Sequence, residues 1–169
     1  MRNLQGGIMN IKKYILLFLL LLPALAFVPR PLDAQTASEV DAMLHSDTVS
    51  AAAMARFVLG AANLLPSGLS GTQAEKAAFD LASSNGWIKT GAEDNATLKD
   101  TAFLAMKAFD LKGGAFYSLF KNPRYAYREM VYQKLITGHA DQNMRVTGAR
   151  LLLILDKTIS YADRQGGTK

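Results

Sequence analysis

The stretch "AFDLASSNGWIKTGAEDNATLKDTAFLAM", Ala78 to Met106, decides how this chain is organised. At an offset of 48 residues it lies without gaps on "AYREMVYQKLITGHADQNMRVTGARLLLI", Ala126 to Ile154. Ala78 falls on Ala126, Phe79 on Tyr127, Ile88 on Ile136, Ala92 on Ala140, Asn95 on Asn143, Leu98 on Val146 and Leu104 on Leu152. Each half reads as a helix, a short loop of small and acidic residues, then a second helix, as expected of a repeated supersecondary unit. The loop matches carry weight because helical periodicity alone does not produce them.

Outward from this pair, polar caps and glycines punctuate the chain. Ser46, Asp47 and Thr48 predict a helix over 49–65, ended by Pro66, Ser67 and Gly68. Thr72 with Glu75 reads as a capping box for a helix to Ser84, with Asn85-Gly86 as its stop. Thr97 with Asp100 opens a helix over 98–111 that Gly113-Gly114 closes, and Asn122-Pro123 opens another reaching Lys134. Thr147 caps a last helix to Tyr161, whose "LLLIL", Leu151 to Leu155, is apolar on every side and reads as the central core element. No alternating strand pattern competes, so the expected class is all-α. The expected organisation is tandem helix-loop-helix repeats in one domain over 48–163: a partial repeat at 48–70 and repeats at 71–112 and 115–162. Residues 35–47 read as a linker and 164–169 as a tail.

The front end is of another kind. "YILLFLLLLPALAFV", Tyr14 to Val28, follows Lys12 and Lys13 and ends near small residues, the pattern of a cleavable signal peptide over 1–34. The run is shorter than the about 20 residues a spanning helix needs and contains Pro23. Cleavage after Ala26 or after Ala34 fits, the later being favoured, and Met9 is an alternative start. No cysteine is present, so neither a disulfide framework nor a lipidated cysteine is expected. Without Arg2, Lys12, Lys13, Arg30 and Asp33, 15 basic and 13 acidic residues remain, and the formal charge falls from +5 to +2. The basic balance is therefore mostly a targeting feature, and no nucleic-acid partner is expected. The expected location is the periplasm or cell envelope, with membrane contact only through the leader before its removal.

The second unit resembles the S-layer homology (SLH) repeat, which reads as a helix, a phrase like "GIITGY-x-DG" and a helix opened by "TRAE". Ile136, Gly138 and Asp141 in "LITGHAD" stand as that phrase requires, and "VTGAR", Val146 to Arg150, stands at the helix opening. "GWIKTGAEDN" with "LKDTA" holds these places in the first unit, and "VSAAA", Val49 to Ala53, in the fragment before it. The chain is also similar to helical modules that precede outer-membrane-protein-A-like domains. The resemblance implies a pseudo-threefold helical prism that binds anionic wall polymer between its units through a motif arginine. Among the motif-like positions Thr147 matches, but Gly148 stands where that arginine belongs and Arg150 where the glutamate belongs.

Catalytic chemistry is poorly provided for. Nucleophilic catalysis needs a base near a nucleophile, and the histidines are His45 in the expected linker and His139 in a loop. They make no zinc set. A calcium loop from Asp141 would place Val146 at its glycine and Leu152 at its bidentate glutamate. No cofactor and no enzymatic activity are expected. What stands out is 112–134, where Lys112, Lys121, Arg124, Arg128 and Lys134 face Glu129 alone among six aromatics. Phe116, Phe120 and Tyr127 read as core. Tyr125, Arg128 and Tyr132 share the outward face of their helix, opposite Ala126, Tyr127, Met130 and Val131, and correspond to Ala77, Asp80 and Ser84 in the first unit. With Lys121 and Arg124 they are the candidate contact residues for a sugar polymer or anionic partner. The sequence thus predicts a non-catalytic exported envelope protein that docks on a wall polymer or another envelope component. The alternative is a periplasmic adaptor or assembly subunit using the aromatic-basic helix face.

Overall fold

The computed structural model describes residues 32–138 and 141–166, with side chains from residue 37 onward. Among them are seven helices and no strand: α1 (Leu32–Leu44), α2 (Ala51–Ala61), α3 (Gly71–Ser84), α4 (Leu98–Ala108), α5 (Ala115–Phe120), α6 (Pro123–Tyr132) and α7 (Gly148–Gly166). The all-α class is as the sequence indicates. The chain divides into units 1–35 and 36–169. The described part of the first is the opening turn of α1, and the leader expected over 1–34 otherwise lies outside the described residues. The remaining observations concern the second unit.

Helices α2, α4 and α7 open in the same way. A buried residue, Val49, Ala96 or Val146, is followed by Ser50, Thr97 or Thr147, and the helix starts at the next position. Ser50 Oγ accepts from the Ala53 amide at 3.2 Å, and Thr147 Oγ1 from the Arg150 amide at 3.3 Å. Thr97 turns its hydroxyl to the Asp100 carboxylate instead. The three openings are hydrogen-bonded in a closed cycle. The Val49 amide donates to the Val146 carbonyl at 3.0 Å, Val146 to Ala96 at 3.0 Å, and Ala96 to Val49 at 2.8 Å. A second cycle surrounds the first: Ala51 donates to the Asp94 carbonyl at 2.8 Å, Leu98 to Met144 at 3.0 Å, and Gly148 to Ser46 at 2.8 Å. These bonds give buried backbone groups their partners without a sheet. They also make the N-termini of the three helices converge, and α2, α4 and α7 pack pairwise against one another.

The bonds revise the register of the sequence comparison. The offset of 48 holds through the ends of α3 and α6, where Gly86 and Lys134 both take positive φ, 68° and 60°. There the Trp87 amide reaches Ala82 and the Leu135 amide reaches Met130, each at 2.8 Å, closing both helices with the same left-handed cap. Beyond the loops, Leu98 is matched by Gly148 rather than Val146, because both donate to the outer cycle. Two residues separate Ile88 from Gly91, and four separate Ile136 from Asp141. The longer second loop accounts for the shift. In the corrected register, Met54, Thr101 and Leu151 fall at one level and all are fully buried, as are Val58 and Ala105 at the next, with Leu155 5% exposed there. Burying a leucine or methionine of this kind contributes about 1.5–3 kcal/mol.

Several expected boundaries move. Ser50, not residues 46–48, caps α2, which ends at Ala61 with Asn63 left-handed. Helix α3 starts at Gly71, so Thr72 lies inside it, and Glu39 Oε1 accepts the Gly71 amide at 3.2 Å. Asp110, not the glycine pair, provides the left-handed stop of α4, while Gly114 precedes the unforeseen α5. Residues 35–47, expected as a linker, are mostly α1. Met43 belongs to the core, and Glu39 pairs with Arg56 of α2. The "LLLIL" run is not buried all round: Leu151, Ile154 and Leu155 are buried, Leu152 is half-buried and Leu153 is exposed. A surface helix hides only the stripe its neighbours cover. Residues 164–166 of the expected tail continue α7, and 167–169 lie outside the described residues.

Candidate functional site

The aromatic-basic stretch folds into α5 and α6, and the structure sorts its aromatics differently from the sequence reading. Tyr117 is the one α5 ring that enters the core, at 5% exposure, whereas Phe116 and Phe120 are 70% and 52% exposed. The cause is local. A Cβ on Gly113 would lie 2.6 Å from Tyr117 Cδ1, so this glycine leaves the room in which the tyrosine ring packs. Burial and the nearby Asp110 carboxylate push the Tyr117 phenol up to about 12.

That shift implies alkaline destabilisation. The unfolded phenol loses its proton near pH 10 while the folded one holds it, so the contribution is complete below pH 10 and lost as pH rises towards 12. The loss should reach about 2 kcal/mol. Urea melts between pH 9 and pH 12 should show it, and Tyr117→Phe should flatten that part of the profile.

Tyr125, expected on the outward face with Arg128 and Tyr132, is instead half-buried. It stacks on Phe120, with centroids 5.1 Å apart and planes at 19°, and on Phe116 at 6.0 Å and 9°. Arg128 and Tyr132 remain exposed, Tyr132 to 80%. On the opposite side Ala126 and Met130 are buried and Tyr127 is half-buried against the core, but Val131 is 40% exposed. The candidate trio therefore divides into one packing residue and two solvent-facing ones.

Lys121 ends α5 with a left-handed backbone, φ 37°. It lines an open hollow of about 410 Å³ together with Lys107, Lys112, Asp110 and Tyr117. Lys107 Nζ also lies 5.5 Å from the centroid of the Phe103 ring. A lining with three lysines and one aspartate suits an anion. Arg124 is exposed in the first turn of α6, just before the stacked Tyr125. The sequence named Lys121 and Lys112 in the basic stretch, but Lys107 and Asp110 join them only because α4 ends in a left-handed turn beside α5.

The motif-like positions do structural work. A Cβ on Gly148 would stand 1.5 Å from the Met43 carbonyl oxygen. Its counterparts Ala51 and Leu98 are fully buried, so the position expected for a polymer-binding arginine is interior in all three openings. Arg150 turns back to its own loop, donating to the Thr137 carbonyl at 3.2 Å and lying 3.0 Å from Met144 Sδ. His45 Nδ1 lies 2.9 Å from the Asp41 carbonyl oxygen on an exposed turn. His139 lies outside the described residues. Among the described residues no three histidine or carboxylate groups are placed to share a metal ion, and no helix is long and apolar enough to cross a membrane.

No protein-family model matches the chain, and neither a curated protein nor a solved structure matches it. The class its described residues define is all-α, with three helix openings joined in hydrogen-bonded cycles.

Proposed function

We propose that the chain is a non-catalytic, exported envelope protein built from three SLH-like helical units that docks on an anionic wall polymer. The two cycles of backbone hydrogen bonds support the three-unit reading, with α1 supplying the leading helix that the sequence comparison lacked. The docking reading rests on one observation, the hollow whose lining includes Lys107, Lys112 and Lys121 with Asp110. It differs from the family pattern in using these lysines rather than a motif arginine, since that position is interior. Residues 36–169, which form one compact unit, should sediment with purified cell-wall sacculi at low salt, where charge attraction is least screened. Lys107→Glu with Lys112→Glu should abolish sedimentation. Absence of sedimentation by the parent protein overturns polymer docking.

The alternative, a periplasmic adaptor or assembly subunit, draws on the 80% exposure of Tyr132 beside exposed Arg128 on α6. Its test is co-purification of a stoichiometric envelope protein that is lost on Arg128→Ala with Tyr132→Ala. Tyr125 is unsuited to that test because its ring supports the stack.

A further inference from the structure

Helix α5 is six residues long and uses its faces oppositely. Tyr117 anchors it inward, while Phe116, Leu119 and Phe120, spaced i, i+3 and i+4, share one face. Their exposures are 70%, 75% and 52%, so much of each side chain faces solvent. The ridge is also fixed. Tyr125 stacks on both phenyl rings, Gly113 fits against Tyr117, and Asn122 caps the next helix by accepting the Tyr125 amide at 3.1 Å. Apolar side chains held rigidly in water lose little further freedom when a partner covers them.

Charge selects the partner. Lys121 directly follows the ridge, and Arg124 stands one turn-residue pair beyond it, both exposed. Over 111–134 the carboxylate is Glu129, and it is engaged by Gln133 Nε2 at 3.0 Å. Asp110 faces the hollow. A second copy docked through the same face would bring both copies' Lys121 and Arg124 into one interface, like charge near like charge, which disfavours self-association. A protruding ridge with cations beside it matches a soft anionic surface, where apolar side chains enter and ammonium and guanidinium groups pair with phosphates. We infer that Phe116, Leu119 and Phe120, with Lys121 and Arg124, seat this domain on an anionic phospholipid surface. The folded domain then has a membrane contact of its own, where the sequence reading gave one to the leader alone. The site is separate from the polymer hollow except at Lys121.

Flotation of residues 36–169 with vesicles separates the possibilities. The protein should float with phosphatidylglycerol–phosphatidylcholine vesicles at low salt and not with phosphatidylcholine alone. Leu119→Ser should weaken binding about tenfold with an unchanged melting curve, since that side chain is 75% exposed. Lys121→Glu with Arg124→Glu should weaken it more than about tenfold. Vesicle binding that survives Leu119→Ser at full strength overturns the inference, as does failure to float with anionic vesicles. Sedimentation with sacculi but no flotation overturns it and leaves polymer docking standing. Capture of one envelope protein by the parent but not by Leu119→Ser, again without flotation, assigns the ridge to a protein instead.

Discussion

Gly148→Ala should lower stability by about 3 kcal/mol and the melting temperature by roughly 10 °C. The added methyl carbon would lie 1.5 Å from the Met43 carbonyl oxygen, 2.6 Å from its carbonyl carbon and 3.1 Å from its sulfur. The first two are backbone atoms, so no rotamer change relieves the overlap. Either the end of α1 or the start of α7 must move, and either movement strains the 2.8 Å hydrogen bond that the Gly148 amide donates to the Ser46 carbonyl. Gly60→Ala is the matched control: it is also a helical glycine, but nothing lies within 4 Å of its added carbon. That change should raise stability by about 0.5–1 kcal/mol through helix propensity. Thermal melts of the two variants should move in opposite directions. Equal melting of Gly148→Ala and the parent would mean that the Met43 carbonyl does not lie against Gly148.

Ala96→Pro should be nearly as damaging, at about 3 kcal/mol or more. Proline has no amide hydrogen, so the bond to the Val49 carbonyl at 2.8 Å is lost and the inner cycle opens. Val49 and Ala96 are 2% and 1% exposed, which keeps water from replacing the donor. Ala96→Gly retains the amide and loses only a methyl group, so it should cost about 1 kcal/mol. Urea denaturation should place the proline variant well below the glycine variant in midpoint. Coincident midpoints would show that the cycle contributes no more than the side chain.

The helical class was legible because caps and left-handed stops are local chemistry. Asn85-Gly86 ends α3 and Asn122-Pro123 begins α6 as their residue types require. The register beyond the loops was not legible, since Ala102 to Met106 and Leu151 to Leu155 are apolar at every position and match one another with or without a two-residue slip. Helix α5 escaped because six residues cover less than two turns and Gly114 offers no capping side chain. The aromatic assignment failed for a related reason. Hydropathy ranks Phe116 and Phe120 as more apolar than Tyr117, but depth is set by the space at Gly113, and a glycine four positions before a tyrosine was the only local sign. Tyr125 was placed outward by periodicity, which counts the core as one side and cannot foresee that a neighbouring helix would lay two rings on the other. Among the candidate site residues, Arg128 and Tyr132 face outward as their helical spacing indicates, Lys121 and Arg124 are also exposed, and Thr147 and Gly148 serve the backbone.

The hydrogen-bonded cycles also constrain the order in which the chain can acquire its shape. Val49, Ala96 and Val146 lie about fifty positions apart in succession, and each needs the other two. Closing loops of that length costs chain entropy before any contact offsets it. A nascent chain ending before residue 146 can form individual hairpins, but its centre stays open and its α2 and α4 starts lack donors or acceptors. The bonds made by Val146 and Gly148 therefore act as a timing device, holding the openings of α2 and α4 short of their final state until the start of α7 has been made.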